Sequence, residues 1–276
     1  MEIRRKVTAK GLWRSLYPVL VYMLVQVAVS ILYVMAVMAF SVLDGESPVE
    51  AAASIMDRYM DSTITVVLLA AAVSIPLFAW LYSCDRKKKL MAGFQEDWFP
   101  LTEWILLWSV IGTAALALFC NGLINILPLA LWSDSYEEIS EALYSGNIWI
   151  QIAAVAFFGP AVEELVMRGL MYQRFRAMMR PAAAVFWSAL VFGVFHGNLI
   201  QGIYAFLMGL FLAWMMERTQ RLFVPMLGHM SANLFVVILE ERELLELFYG
   251  SVTSFLGTMA ISGIVFLWSF MKLRER

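Results

Sequence analysis

The chain contains only two histidines, and both lie inside long apolar stretches. A pair of adjacent glutamates and an arginine come before them in another apolar stretch, and an asparagine follows the second histidine by four positions. These candidate site residues are Glu163, Glu164, Arg168, His196, His229 and Asn233. Ionisable side chains are costly in hydrocarbon and usually serve a function where they occur in membrane segments. The set therefore predicts a functional site in which carboxylate, imidazole and amide groups could move protons and bind an anion.

The spacing of these residues indicates how helices would present them. Glu164 and Arg168 are four positions apart, so on an α-helix they share one face and can form an ion pair. Glu163 is rotated by about 100° from that face and is free to point at a partner on another helix. Phe192 and His196 have the same four-residue spacing, so the phenyl ring can pack beside the imidazole.

Two chemistries are open for such a group. A glutamate and a histidine at one water molecule can deprotonate it, and a second histidine with Asn233 can donate hydrogen bonds to an oxyanion, which together would hydrolyse a peptide bond without a covalent intermediate. Alternatively, Glu163, His196 and His229 could ligate zinc and leave a fourth position open. The sequence has no HExxH motif, so three separate helices would have to supply these ligands. We expect the three residues at one depth, roughly 10–15 Å below the cytoplasmic surface.

The composition indicates a membrane protein. Hydrophobic residues make up 62% of the sequence and charged residues 15%, whereas soluble domains carry about a quarter charged residues. A helix needs about 20 apolar residues to cross the hydrocarbon core. Eight segments approach or exceed this length, at residues 16–42, 64–83, 104–131, 148–167, 182–195, 200–216, 223–239 and 252–271. The sequence therefore predicts an all-α, polytopic membrane protein with about eight transmembrane helices.

The charges in the predicted loops indicate an orientation, because Lys and Arg favour cytoplasmic loops. Basic clusters lie at residues 4–14, 86–89, 174–180, 218–221 and 272–276, and they alternate with acidic or uncharged loops at 44–50, 134–141, 196–199 and 240–243. This alternation fits eight helices with both termini in the cytoplasm. The first apolar segment is too long for a cleaved signal peptide and is predicted to be a retained anchor. We expect one transmembrane domain over residues 1–276.

Three short motifs carry a resemblance to a known family. The residues EELVMR at 163–168, FGVFH at 192–196 and HMSAN at 229–233 match, in order, the EExxxR, FxxxH and HxxxN/D motifs of the CAAX protease and bacteriocin-processing family. This family, also called CPBP or Abi, consists of intramembrane endopeptidases. The resemblance covers residues 148–240, which it implies to be the catalytic core. The first three predicted helices and the last match only in being apolar.

The resemblance implies a role for each candidate residue. Glu163 and His196 would activate the water, His229 and Asn233 would hold the oxyanion, and Glu164, Arg168 and Phe192 would support the site. The family is described both as metalloproteases and as metal-free glutamate enzymes, so the cofactor is either zinc or none. Members that process prenylated proteins cleave after a lipidated cysteine on the cytoplasmic side, and bacterial members are linked to bacteriocin maturation or self-immunity.

The expected partners are membrane lipid and a peptide or lipidated protein substrate, without nucleic acid, and the expected location is a bacterial cytoplasmic membrane with the site facing the cytoplasm. Two other functions are open. A non-catalytic immunity or scaffold protein would bind a peptide or partner, but it need not keep the whole motif set. A small-solute transporter often has two similar halves, whereas here the ionisable cluster lies wholly in the second half of the chain.

Overall fold

The computed structural model describes residues 6–93, 100–126 and 147–275. Within these ranges the chain forms helices and no strands, which confirms the all-α prediction. The helices are α1 (Ala9–Leu43), α2 (Pro48–Asp61), α3 (Thr63–Met91), α4 (Glu103–Ile126), α5 (Ile148–Arg176), α6 (Pro181–Phe195), α7 (Leu199–Thr219), α8 (Phe223–Glu241), α9 (Leu245–Tyr249) and α10 (Val252–Arg274).

Seven of these helices in the described ranges are long and apolar enough to cross a membrane, namely α1, α3, α4, α5, α7, α8 and α10. The remaining predicted segment, the fifth along the chain at residues 182–195, forms α6, which is apolar but only 15 residues long. At 1.5 Å per residue it extends about 22 Å, which is short of the ~30 Å hydrocarbon core. A helix of this length that starts at one membrane surface ends inside the membrane, and α6 ends directly before His196.

The predicted segments and the observed helices differ mainly at their ends. The fourth segment was predicted to stop at residue 167, but α5 continues to Arg176 because its arginines are held in ion pairs with neighbouring helices. The acidic loop at 134–141 and the end of the third segment, 127–131, lie outside the described residues. Asn198 caps α7, since its side-chain oxygen accepts a hydrogen bond of 2.8 Å from the backbone N–H of Gln201.

Ion pairs join one end of the helix bundle. The Arg174 guanidinium at the end of α5 lies 2.7 Å from Asp85 on α3, and Asp85 also pairs with Arg14 near the start of α1, at 3.1 Å. At the same end of α5, Arg176 lies 3.0 Å from Glu217 on α7. The start of α1 and the ends of α3, α5 and α7 therefore meet at one end of the bundle, as the loop charges predict. Which side of the membrane this end faces stays a prediction.

Helix α5 is the centre of the half of the bundle that carries the motifs. It packs against α1, α3, α6, α7 and α8, and every residue from Leu165 to Tyr172 is buried. Helix α4 packs against α7, α8 and α10 on the other side. The chemistry-bearing residues of α5, α6 and α8 are thereby brought to one interior region.

Candidate active site

The site is built on an irregular part of α5. Two stretches of this helix, Ile152–Phe158 and Leu165–Tyr172, are π-helical, with i→i+5 bonding, and the α-helical turn Gly159–Glu164 between them carries both glutamates. Pro160 lies at the start of that turn and has no N–H to donate to the preceding turn. π-Helical turns are rare in proteins, and those that occur often lie at functional sites.

Glu164 is the hub of a buried polar network. One of its carboxylate oxygens, Oε1, lies 2.8 Å from Arg168 Nη1 on the same helix and 3.0 Å from His229 Nδ1 on α8. The side chains of Glu164 and Arg168 are both fully buried, and His229 is 6% exposed. The four-residue spacing thus forms the pair that it predicts. Because the carboxylate only accepts, His229 donates from Nδ1 and its ring orientation is set by Glu164.

Arg168 makes two further contacts that hold it in the interior. Its Nη2 donates a 3.2 Å hydrogen bond to the backbone oxygen of Gly209 on α7, and its guanidinium lies 4.5 Å from the centre of the Phe192 ring on α6. A Cβ at Gly209 would lie 3.1 Å from both Ala189 and Phe192, so glycine allows α7 to approach α6 closely there. Arg168 therefore links α5, α6 and α7.

Glu163 faces His229 from the other side of the imidazole. Its Oε2 lies 3.8 Å from His229 Nε2, and its side chain is 20% exposed. At that separation the two groups are too far apart for a direct hydrogen bond but close enough to contact one water molecule. Glu163 points at a partner on another helix, as its rotation from the Glu164–Arg168 face predicts. Glu164 and Glu163 thus face the Nδ1 and Nε2 atoms of His229, respectively.

His196 lies beside this group, at the end of α6. Its Nδ1 is 2.8 Å from the backbone oxygen of Phe192, and a carbonyl can only accept, so Nδ1 carries the proton and Nε2 of the neutral ring is an acceptor. The Phe192 ring packs edge-on against both imidazoles, with centroid distances of 4.9 Å to His196 and 5.8 Å to His229. Phe192 therefore spaces the two histidines.

Asn233 has a partner that the sequence motif does not indicate. Its side-chain Nδ2 donates a 2.9 Å hydrogen bond to the backbone oxygen of Val155, in the first π-helical stretch of α5. This contact uses one of the two N–H groups of the amide. It joins α8 to α5 at a second point, one helical turn beyond His229.

The arrangement does not fit the three-ligand zinc site that the residue types left open. Within residues 6–93, 100–126 and 147–275, no three His, Cys, Asp or Glu side chains converge closely enough to hold a metal ion. His229 and His196 each donate from Nδ1, which leaves Nε2 of both rings available, but the Phe192 ring packs against both imidazoles. A zinc site would require these side chains to move together.

An apolar groove opens beside the site. It has a volume of about 450 Å³ and lies between the first half of α5, α3 and α8. Its lining consists of Trp149, Ile152, Ala153, Phe157, Phe158 and Ala161 from α5, with Ile75 from α3 and Met230 from α8. Ala161 is two positions from Glu163, and Met230 follows His229, so the groove is lined in part by sequence neighbours of two site residues.

Sequence reasoning missed several contributors to the site. The carbonyls of Gly209 and Val155 have no sequence signature, because every residue carries a backbone oxygen. Tyr22 on α1 stacks on Phe195 at 5.2 Å and is close enough to Glu163 to interact with it electrostatically, although nothing in the α1 sequence marks it. Pro160 was the one signal that could have been used, since it precedes the glutamates within a helical segment.

The part of the chain that carries these residues is similar to known proteins. Residues 145–235 match the family model described as type II CAAX prenyl endopeptidase Rce1-like. The chain is also 25% identical over 158 residues to YdiL of Bacillus subtilis (strain 168), a candidate membrane peptidase by its name. That alignment covers 55% of this chain and 62% of YdiL. No solved protein structure gives a significant match.

Proposed function

We propose that this chain is an intramembrane endopeptidase of the CAAX protease and bacteriocin-processing family, and the family-model match over residues 145–235 supports this. The observation that carries the proposal is the buried network in which Glu164 holds both Arg168 and His229, with Glu163 on the far side of the imidazole. Buried ion pairs add little net stability. Moreover, Glu164 Oε2 and Arg168 Nε are buried without a hydrogen-bond partner in the described part of the chain. A group this costly to bury fits catalysis better than structural support.

The proposed reaction is direct hydrolysis by an activated water molecule. Glu163, whose side chain is partly exposed, takes a proton from the water with His196 Nε2 as a second acceptor. The water oxygen bonds to the carbonyl carbon of the substrate, and the proton then passes to the leaving nitrogen as the C–N bond breaks. The products are a new carboxyl group and a new amine, with no covalent intermediate on the protein.

The proposed oxyanion site consists of His229 and Asn233. His229 is oriented by Glu164 through Nδ1, so its Nε2, when protonated, donates toward the side on which Glu163 lies. Asn233 keeps one amide N–H beyond its bond to Val155. Donors fixed before the reaction stabilise a developing negative charge without reorganisation, and each is typically worth about 10²–10³ in kcat.

The mechanism needs no metal, and this has a measurable consequence. We expect the purified protein to cleave substrate at an unchanged rate after treatment with EDTA or 1,10-phenanthroline and removal of the chelator. The test is the initial cleavage rate in detergent before and after chelation, with total zinc measured in the same samples. Loss of activity that added zinc restores would show that His196, His229 and Glu163 move together around a metal.

The groove supports a membrane-associated substrate with an apolar part, such as a lipidated cysteine or a hydrophobic peptide segment. Ile75→Trp narrows the groove from α3, so we expect KM to rise about tenfold, as for the loss of a few buried CH₂ contacts, with kcat nearly unchanged. Leu69→Trp is the matched control, because Leu69 is on the same helix, is 46% exposed and does not line the groove. Equal KM values for the two variants would remove the groove from the substrate path.

We propose a bacterial cytoplasmic membrane as the location, with the site open toward the cytoplasm. The support is that basic residues near the start of α1 and at the end of α5 lie at one end of the bundle, since such residues favour the cytoplasmic side. Labelling of single cysteines introduced at Lys10 and Glu50 with an impermeant maleimide in intact cells tests this orientation: only the second should react.

A further inference from the structure

The backbone oxygen of Val155 lacks both of the donors that a helix normally offers it. In an α-helix its donor would be the N–H of Gly159, but that N–H bonds to Ala154, five residues back. In a π-helix its donor would be residue 160, which is proline and has no N–H. The π turn and Pro160 together leave one carbonyl open on the face of α5 that meets α8.

Asn233 donates a 2.9 Å hydrogen bond from Nδ2 to this Val155 oxygen. We infer that Pro160 and the Val155 carbonyl form a positioning device for the Asn233 amide, which keeps its remaining N–H aimed for catalysis. The inference rests on the proposed function and assigns positioning residues to it. Val155 and Pro160 act through Asn233 and do not themselves touch the reacting atoms.

The same stretch of α5 also forms a wall of the apolar groove. Ile152, Ala153 and Phe157 belong to the π-helical stretch that contains Val155, and all three line the groove. A substrate chain seated against this wall therefore packs on the segment that anchors Asn233. The geometry links substrate seating to the alignment of the oxyanion donor, because both depend on the shape of one helical turn.

A purely structural role for this hydrogen bond is the competing explanation, since polar side chains commonly join helices in membranes. The two explanations differ in what Pro160→Ala does. The substitution restores an N–H that can bond to Val155 or Ala156 and favours a regular helix, so it competes with Asn233. If the Asn233–Val155 hydrogen bond is only structural, weakening it lowers the stability of the protein and leaves kcat unchanged. If the bond positions Asn233, weakening it lowers kcat.

The first measurement observes the amide directly and needs no activity. The chain has five asparagines, so side-chain ¹⁵N–¹H signals of asparagine-labelled protein in micelles can be assigned by Asn233→Ala. We expect one Asn233 Nδ2 proton to be shifted downfield and slow to exchange, and the shift to be lost in Pro160→Ala. Pro18→Ala, which restores an N–H inside α1, should leave it unchanged. Two freely exchanging Asn233 protons in the parent protein would overturn the inference.

The second measurement is a double-mutant cycle on cleavage. We expect Pro160→Ala to lower kcat roughly ten- to a hundredfold, as misplacement of a catalytic group does, with KM nearly constant. In an Asn233→Ala background the same substitution should have no further effect on kcat. Losses that multiply would overturn the inference while leaving the endopeptidase proposal intact. A parent protein that shows the anchored amide but cleaves nothing would refute the proposed function and leave the anchor in place.

Discussion

Replacing Glu163 by alanine is expected to abolish turnover while the protein stays folded. Glu163 Oε2 lies 3.8 Å from His229 Nε2, and its side chain is partly exposed. It is not part of the buried Glu164–Arg168 pair. Loss of a general base typically lowers the rate about 10²–10⁴-fold. The measurement is kcat in detergent together with the melting temperature of the same preparation.

Two further variants sharpen this result. Glu163→Gln keeps the size and polarity of the side chain but cannot accept a proton from water at neutral pH, so it should be as inactive as Glu163→Ala. Glu103→Ala makes the same truncation at an exposed position in the first turn of α4, and it should keep parental activity. Parental activity in Glu163→Gln would show that another group activates the water.

Replacing Arg168 by alanine is expected to lower both stability and activity. Arg168 and Glu164 are fully buried, so the truncation leaves a carboxylate without its cation in the interior. Breaking a buried pair in this way typically costs about 3–5 kcal/mol. The substitution also removes the hydrogen bond to Gly209 and the contact with Phe192, so α6 and α7 lose a shared anchor. The measurement is a thermal or denaturant unfolding curve with cleavage assayed at a permissive temperature.

The matched control is Arg176→Ala, eight residues along the same helix. Arg176 pairs with Glu217, but both side chains are about a quarter exposed, at 28% and 23%. Partly exposed pairs contribute about 0–1 kcal/mol, so this variant should unfold near the parental temperature and stay active. If Arg168→Ala and Arg176→Ala lost equal stability, burial of the Glu164–Arg168 pair would not explain the effect.

Much of the fold, and the closeness of several candidate residues, followed from the sequence. Apolar length predicted the helices, because the hydrocarbon core sets a minimum span. The four-residue spacing of Glu164 and Arg168 predicted their ion pair, because helix geometry places such residues on one face. The same geometry predicted that Glu163 points away from this pair toward another helix, where it faces His229. These inferences succeeded because they depend on local geometry or on composition.

The features that could not be predicted depend on backbone groups and on tertiary contacts. The π-helical stretches of α5 change which residues share a face, and hydrophobic periodicity averages over such local changes. Gly209 and Val155 act through their carbonyls, whose use depends on which helix lies opposite. The family resemblance implied that Asn233 helps to hold the oxyanion, but it gave no sign of the hydrogen bond from Asn233 to the Val155 carbonyl on α5. Such second partners become visible only once helices are placed against each other.

The most direct test of the central claim is a cleavage assay in detergent, analysed by mass spectrometry. The substrates are peptides that end in a prenylated cysteine motif and a mixture of candidate membrane peptides, and the proteins are the parent, Glu163→Ala and His229→Ala. We expect the parent to produce a new carboxyl and amine terminus at a defined bond, and both variants to produce neither although they remain folded. Cleavage by either variant at the parental rate would contradict the assigned site. Absence of cleavage by a well-folded parent on every substrate would contradict the protease and favour a binding or immunity protein of the same fold.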